Sequence, residues 1–308
     1  MRSVTRLIEQ IRRQTENEEF TDFAGIKDQE FIQYINDAQY NLQAQIVHQH
    51  PSVFIEEMLI PTVPGQERYD LPVDCFLGNK VTNVEYSASG NEEDFYVLKQ
   101  STLKSRTSGV DADPSLYIRL SGQIMLAPQP ASGGMLRVNY VRRVRELDTR
   151  KAKVSENVSV TSSTTFTIKL DNQNYDTDTD SLKEHDFICV VDKLGRSIVK
   201  DIEIRSIDST SIVCEAHTKQ SHELSVIPAG AYIVGGKHTT THSDLGVEVE
   251  RYLISYCAWK ILKRDSSVDS TEAMQELTIM AQEIVKSYAL ISDDVQFIPN
   301  LNNDDWSI

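Results

Sequence analysis

The sequence predicts an α+β fold: a helical bundle made of N-terminal helices and a C-terminal helical hairpin, with an antiparallel β domain and an inserted small β-barrel or sandwich. Three observations predict it. Apolar residues recur at helical spacing near both ends of the chain, in residues 4–48 and 245–291. Between them lie two blocks of short β-prone runs punctuated by Pro, Gly and Asp. The 308 residues are 40% hydrophobic and 25% charged, an ordinary globular composition with room for roughly two domains of about 150 residues.

The first helix starts after Ser3 as N-cap, with Val4, Leu7, Ile8 and Ile11 on one face. A second runs from about Asp28 to His48, its stripe formed by Phe31, Ile35, Ala38, Leu42 and Ile46 and its end set by Pro51. These helices make up segment 1–52. Residues 53–153 read as a small antiparallel sheet, with runs at Phe54–Ile60, Val81–Tyr86, Leu116–Leu120, Ile124–Leu126 and Leu136–Val141. Residues 154–236 read as the barrel or sandwich, with runs at Phe166–Leu170, Phe187–Val191, Ser197–Ile207, Ser211–Cys214 and Val226–Val234 and a turn at Lys193-Leu194-Gly195.

A polar linker at Lys237–Ser243 opens the last structured segment, 237–291. Leu245, Val249, Tyr252, Leu253, Tyr256, Cys257 and Ile261 cover more than one face and predict a central helix. After a polar turn at 264–270, Ala273, Leu277, Met280, Ile284, Ser287 and Ile291 complete a hairpin. Segment 292–308 is an extended acidic tail with four Asp and no base, yet it carries Phe297, Ile298, Leu301, Trp306 and Ile308.

Charge and cysteine usage narrow the function. With 31 Lys+Arg against 46 Asp+Glu the net charge is −15, which excludes a nucleic-acid binder working through overall charge. Cys75, Cys189, Cys214 and Cys257 are far apart and form no CxxC pair, so neither a disulfide framework nor a zinc site is indicated. The N-terminus lacks a signal-peptide pattern, and the most apolar run, Leu253–Leu262, is too short to span a bilayer; a chain made in the cytoplasm, with no membrane partner, is expected.

No constellation for catalysis emerges. Asp176, Asp178 and Asp180 carry the first spacings of a calcium loop, but Ser181 and Phe187 stand where its glycine and bidentate glutamate belong; a solvated acidic loop explains them better. His238 and His242 are four apart across a Thr-rich run that is a poor helix, and His48 and His50 fit a helix C-terminus. Gly133-Gly134 and Gly235-Gly236 lack the strand-to-helix context of phosphate-binding loops. We therefore expect no catalytic residues, metal site or cofactor, and no enzyme. The run from Arg137 to Lys153 holds seven cations against two acids. Within it Arg142, Arg143, Arg145, Arg150 and Lys151 form a candidate electrostatic surface between subunits, with solvated strand-end charge as the alternative.

Several segments, taken in order, resemble the head-to-tail connector adaptors of tailed, particularly short-tailed, bacteriophages. Phe31-Ile32-Gln33-Tyr34-Ile35-Asn36-Asp37-Ala38-Gln39 is similar to the family's early helix, and Pro64-Gly65-Gln66-Glu67-Arg68-Tyr69-Asp70-Leu71-Pro72 to its glycine turn, aromatic and Leu-Pro. Leu126-Ala127-Pro128-Gln129-Pro130 with Val138-Asn139-Tyr140 resembles its Pro-containing turn and closing strand, and Tyr252 to Asp265 its C-terminal helix. The likeness covers residues 28–142 and 244–290; the β block 154–236 departs from it.

The resemblance implies a structural virion protein at the head-tail junction, made in the cytoplasm of a bacterial host. It implies a homo-oligomeric ring, commonly twelve-fold, that docks on the portal protein, extends the DNA channel and carries tail nozzle or tail fibre proteins. DNA would pass through the lumen without sequence-specific binding. A ring of identical chains needs two different complementary surfaces on each copy. The tail residues Phe297, Ile298, Leu301, Trp306 and Ile308 are the candidate portal contact, ordering on binding. Two other readings stay open: a tail or baseplate component whose β module binds a cell-surface glycan, and a virion-borne hydrolase.

Overall fold

The computed structural model describes residues 2–16, 27–103, 113–159, 165–171, 182–215, 226–264 and 271–293. The fold is mixed α+β, and the chain divides into two compact units. One contains Met1–Asn41 and Val144–Thr278; the other contains Leu42–Arg143 and Ile279–Ile308. Among the described residues no helix is long and apolar enough to cross a membrane.

Helices α1 (Val4–Glu16) and α2 (Asp28–Gln49) lie where the apolar periodicity puts them. Val4, Leu7, Ile8 and Ile11 are buried, as are Phe31, Ile35, Ala38, Leu42 and Ile46. Apart from Ala38, each such side chain contributes about 1.5–3 kcal/mol when fully buried, enough to order short helices that are marginal alone. A 3-10 turn at Pro51–Phe54 ends the helical run.

The unit containing Leu42–Arg143 holds β1 (Ile55–Pro61), β2 (Arg68–Asp70), β3 (Val81–Ser87), β4 (Tyr96–Val97), β5 (Lys99–Gln100), β6 (Leu116–Leu120), β7 (Gln123–Ala127) and β8 (Met135–Val141). The single small sheet expected from the sequence is in fact two four-stranded sheets, ordered β1-β8-β3-β4 and β2-β7-β6-β5, with β5 and β6 parallel. Strands of two or three residues carry no readable alternation, so β2, β4 and β5 were invisible in the pattern. Alternate residues fill one core: Tyr69 and Leu71, Val84 and Tyr86, Ile124 and Leu126, Leu136, Val138 and Tyr140.

The other unit holds β9 (Glu146–Leu147), β10 (Arg150–Lys153), β11 (Val158–Ser159), β12 (Thr165–Lys169), β13 (Phe187–Val191), β14 (Ser197–Ile207), β15 (Ser211–Glu215), β16 (Val226–Ile227), β17 (Tyr232–Gly235) and β18 (Thr239–Thr240). Six of them form an antiparallel sheet ordered β10-β17-β13-β14-β15-β12. It curls until its outer strands meet: Val154 bridges Leu170, Asp171 N–H donates to Lys153 O at 2.8 Å, and Ser155 N–H donates to Lys169 O at 2.9 Å. Ile188 and Val190, Ile202 and Ile204, Ile212 and Cys214, and Phe166, Ile168 and Leu170 face the interior at the period of two that strands require. The first strand of this sheet begins at Arg150, ahead of the 154 boundary read from the sequence.

Helix α3 (Glu250–Leu262) packs against α1, and Arg251 is its one fully exposed residue, as a helix apolar on several faces requires. Arg264 at its end pairs with Glu30 of α2, and Asn41 Nδ2 donates to Tyr256 Oη at 3.1 Å. Helix α4 (Thr271–Asp293) buries Leu277, Ala281 and Val285. The sequence stripe through Met280, Ile284 and Ser287 is therefore displaced by one position. Small Ala281 and the ring of Tyr288, 6.4 Å from that of Phe54, define the inward face.

Candidate functional site

The α2 motif Asn36-Asp37-Ala38-Gln39 does more than continue an apolar stripe, because Asn36, Gln39 and Gln43 are buried amides. Asn36 accepts the Leu147 N–H at 2.8 Å and donates to Leu147 O at 2.9 Å, so one side chain serves both backbone groups of a residue on β9. Gln39 Nε2 donates to Arg145 O at 2.9 Å, and its Oε1 accepts the Ser243 hydroxyl at 3.1 Å. Within the other unit Gln43 Nε2 donates to Arg142 O at 2.8 Å. Positions i, i+3 and i+7 share a helix face, so the three amides line up on one side of α2.

The polar segment Lys237–Ser243 is a correction to the sequence reading. It is not a linker: His238, Thr239, Thr240, Thr241 and Ser243 are all buried. Strand β18 pairs in parallel with β9, Thr240 Oγ1 donates to Gly195 O at 2.8 Å, and Val4 N–H donates to Thr241 O at 3.0 Å. His238 N–H donates to Asp201 Oδ1 at 2.7 Å. Threonine hydroxyls tolerate burial once each finds an acceptor, so a polar run became the junction between α1, α2, β9 and the curled sheet. His242 shares a 2.8 Å hydrogen bond with Thr241 Oγ1, and burial followed by the charge of Arg150 holds its imidazole below the ordinary histidine range. Among the described residues no three His, Cys, Asp or Glu side chains cluster as a metal site.

The glycine pairs have packing roles. A Cβ on Gly134 would lie 2.4 Å from Ser87 O, and Gly236 adopts φ +96. All four cysteines are free and buried, and burial raises the Cys214 thiol to about 12. Such thiols are inert.

The five cations of the candidate subunit surface are divided between the two units. Arg145 is held by Asp244, Lys151 Nζ lies 3.3 Å from Asp148 Oδ1, and Arg150 stacks 3.8 Å above the Tyr232 ring. In the other unit Arg142 lies 3.5 Å from Glu56, and Arg143 N–H donates to Asp74 O at 2.6 Å. Of the five, only Arg143 is fully exposed. Sequence reasoning saw the sign of the run and missed its partners, which come from positions as distant as Asp244.

Arg150, Lys151 and Lys153 also line a cleft of about 1210 Å³, together with Arg6 and Arg12 of α1, Ile32 and Tyr40 of α2, and Phe187 and Tyr232 of the curled sheet. Acids intersperse it throughout, among them Glu9, Asp37, Glu146 and Asp186, so it has no anion-selective character. The aromatic residues that a glycan site on the β block would need are engaged: Phe166 is buried, Lys237 Nζ sits 3.8 Å over Phe187, and Tyr232 lies under Arg150. Tyr175, the Asp176–Asp180 loop, and Phe297, Ile298, Leu301, Trp306 and Ile308 lie outside the described residues.

The glycine-turn motif is equally explicable. Gly65 takes φ +77, Tyr69 is buried, and the Tyr69 hydroxyl donates to Gln66 O at 3.0 Å and accepts the Val63 N–H at 3.2 Å, pinning the turn to the sheet core. Gly65 N–H donates to Pro130 O at 2.9 Å, which ties this motif to the Leu126–Pro130 segment.

These are scaffold features, with no assembled catalytic group among the described residues. A comparison with protein families matches residues 2–185 to the family described as SU10 adaptor protein. The matched span runs from α1 through β12 and ends before α3 and α4. No curated protein matches the chain.

Proposed function

The chain belongs to the SU10 adaptor protein family, a phage head-tail adaptor family, and from that premise we propose that it forms a ring, of about twelve copies, that docks on the portal and carries the tail. The family match over residues 2–185 carries this reading. As a member of a structural family the protein works as a virion component rather than as a catalyst.

In this proposal helices α1 and α3, which pack together, face the portal. The acidic tail 292–308 inserts Phe297, Ile298, Leu301, Trp306 and Ile308 into apolar portal pockets while its aspartates stay solvated. Arg143, the exposed member of the basic run, receives an acidic segment of the neighbouring copy. The curled sheet of residues 150–235 contacts the tail nozzle, a tail fibre or the next adaptor. A net charge of −15 suits a lumen that DNA crosses without sticking.

Native mass spectrometry of the chain mixed with the portal ring of the same genome tests this reading. Addition of about twelve copies to one portal ring is the expected result. A portal ring that stays bare refutes it. Truncation after Asp293 should abolish docking, and undiminished docking would remove the tail from the interface.

A further inference from the structure

We draw no further inference here: the strongest candidate, the apolar patch on the turn between β2 and β3 where Val73 and Leu77 stand 67% and 79% exposed and Leu77 takes φ +53, has Asp70, Asp74 and Lys80 beside it in sequence, and nothing in the structure shows what covers it.

Discussion

Arg145 grips Asp244 with both its side chain and its main chain. Its Nη2 and Nε lie 2.6 and 3.0 Å from Oδ1, and its own N–H donates to Oδ2 at 3.0 Å, with the two side chains only 14% and 7% exposed. Ninety-nine residues separate them in sequence. Removing one partner strands the other charge away from water, at a cost of about 3–5 kcal/mol. Asp244→Ala should therefore lower unfolding stability by about that amount in urea titrations, whereas Lys193→Ala, at an exposed turn, should change it by less than about 0.5 kcal/mol. The double substitution Arg145→Met with Asp244→Leu should recover part of the loss, since no buried charge is left unpaired.

Asn36 serves both backbone groups of Leu147, so Asn36→Leu leaves a buried N–H and a buried C=O without partners. About 1–3 kcal/mol per unmade bond is expected. Asn41→Leu loses an exposed bond to Tyr256 Oη and should cost less. Denaturant midpoints of the two variants measure the difference; equal losses would show that the Asn36 bonds carry no special weight.

Gly195 and Gly65 share the same φ of +77 but not the same surroundings. A Cβ at Gly195 would lie 2.7 Å from His242 Nδ1, while at Gly65 it meets nothing within 4 Å. Gly65→Ala should cost about 1–2 kcal/mol from the left-handed backbone alone. Gly195→Ala should cost clearly more, because the junction at Thr240–His242 must also shift. Melting temperatures of the two variants separate strain from collision.

His242 has its pKa lowered, first by burial and then by the charge of Arg150. The unfolded chain protonates this side chain near its ordinary value of about 6.5, whereas the folded chain resists until a lower pH. Between those values the unfolded state binds more protons, so stability falls as pH drops below about 6.5 and levels off below the folded pKa. His242→Gln should remove that slope from a series of urea midpoints between pH 7 and pH 5. An unchanged slope would assign it to another group.

The parts of this protein legible in its sequence are those where local chemistry repeats. The stripes of α1 and α2 are periodic over two or more turns, and the β-prone run Leu116–Leu120 coincides with β6 at both its ends. The Asn36-Asp37-Ala38-Gln39 and Pro64–Pro72 motifs were visible as a family likeness, but not as the amide ladder and tyrosine-pinned turn that give them physical meaning. Strands β2, β4 and β5 were lost because two or three residues cannot declare a period.

By itself the sequence determined the α+β class, the positions of the periodic elements, the net charge and the kinship with phage adaptors. Only the tertiary structure decided what the polar residues are for. Polarity marks a residue as needing a partner without naming it; for Lys237–Ser243 the partners come from Val4, Gln39, Gly195 and Asp201, and for Arg145 from Asp244. Hydrophobic burial follows from a residue's own spacing. Hydrogen bonds and ion pairs depend on which distant segments the fold brings within about 3 Å, and that information is carried by no single stretch of chain.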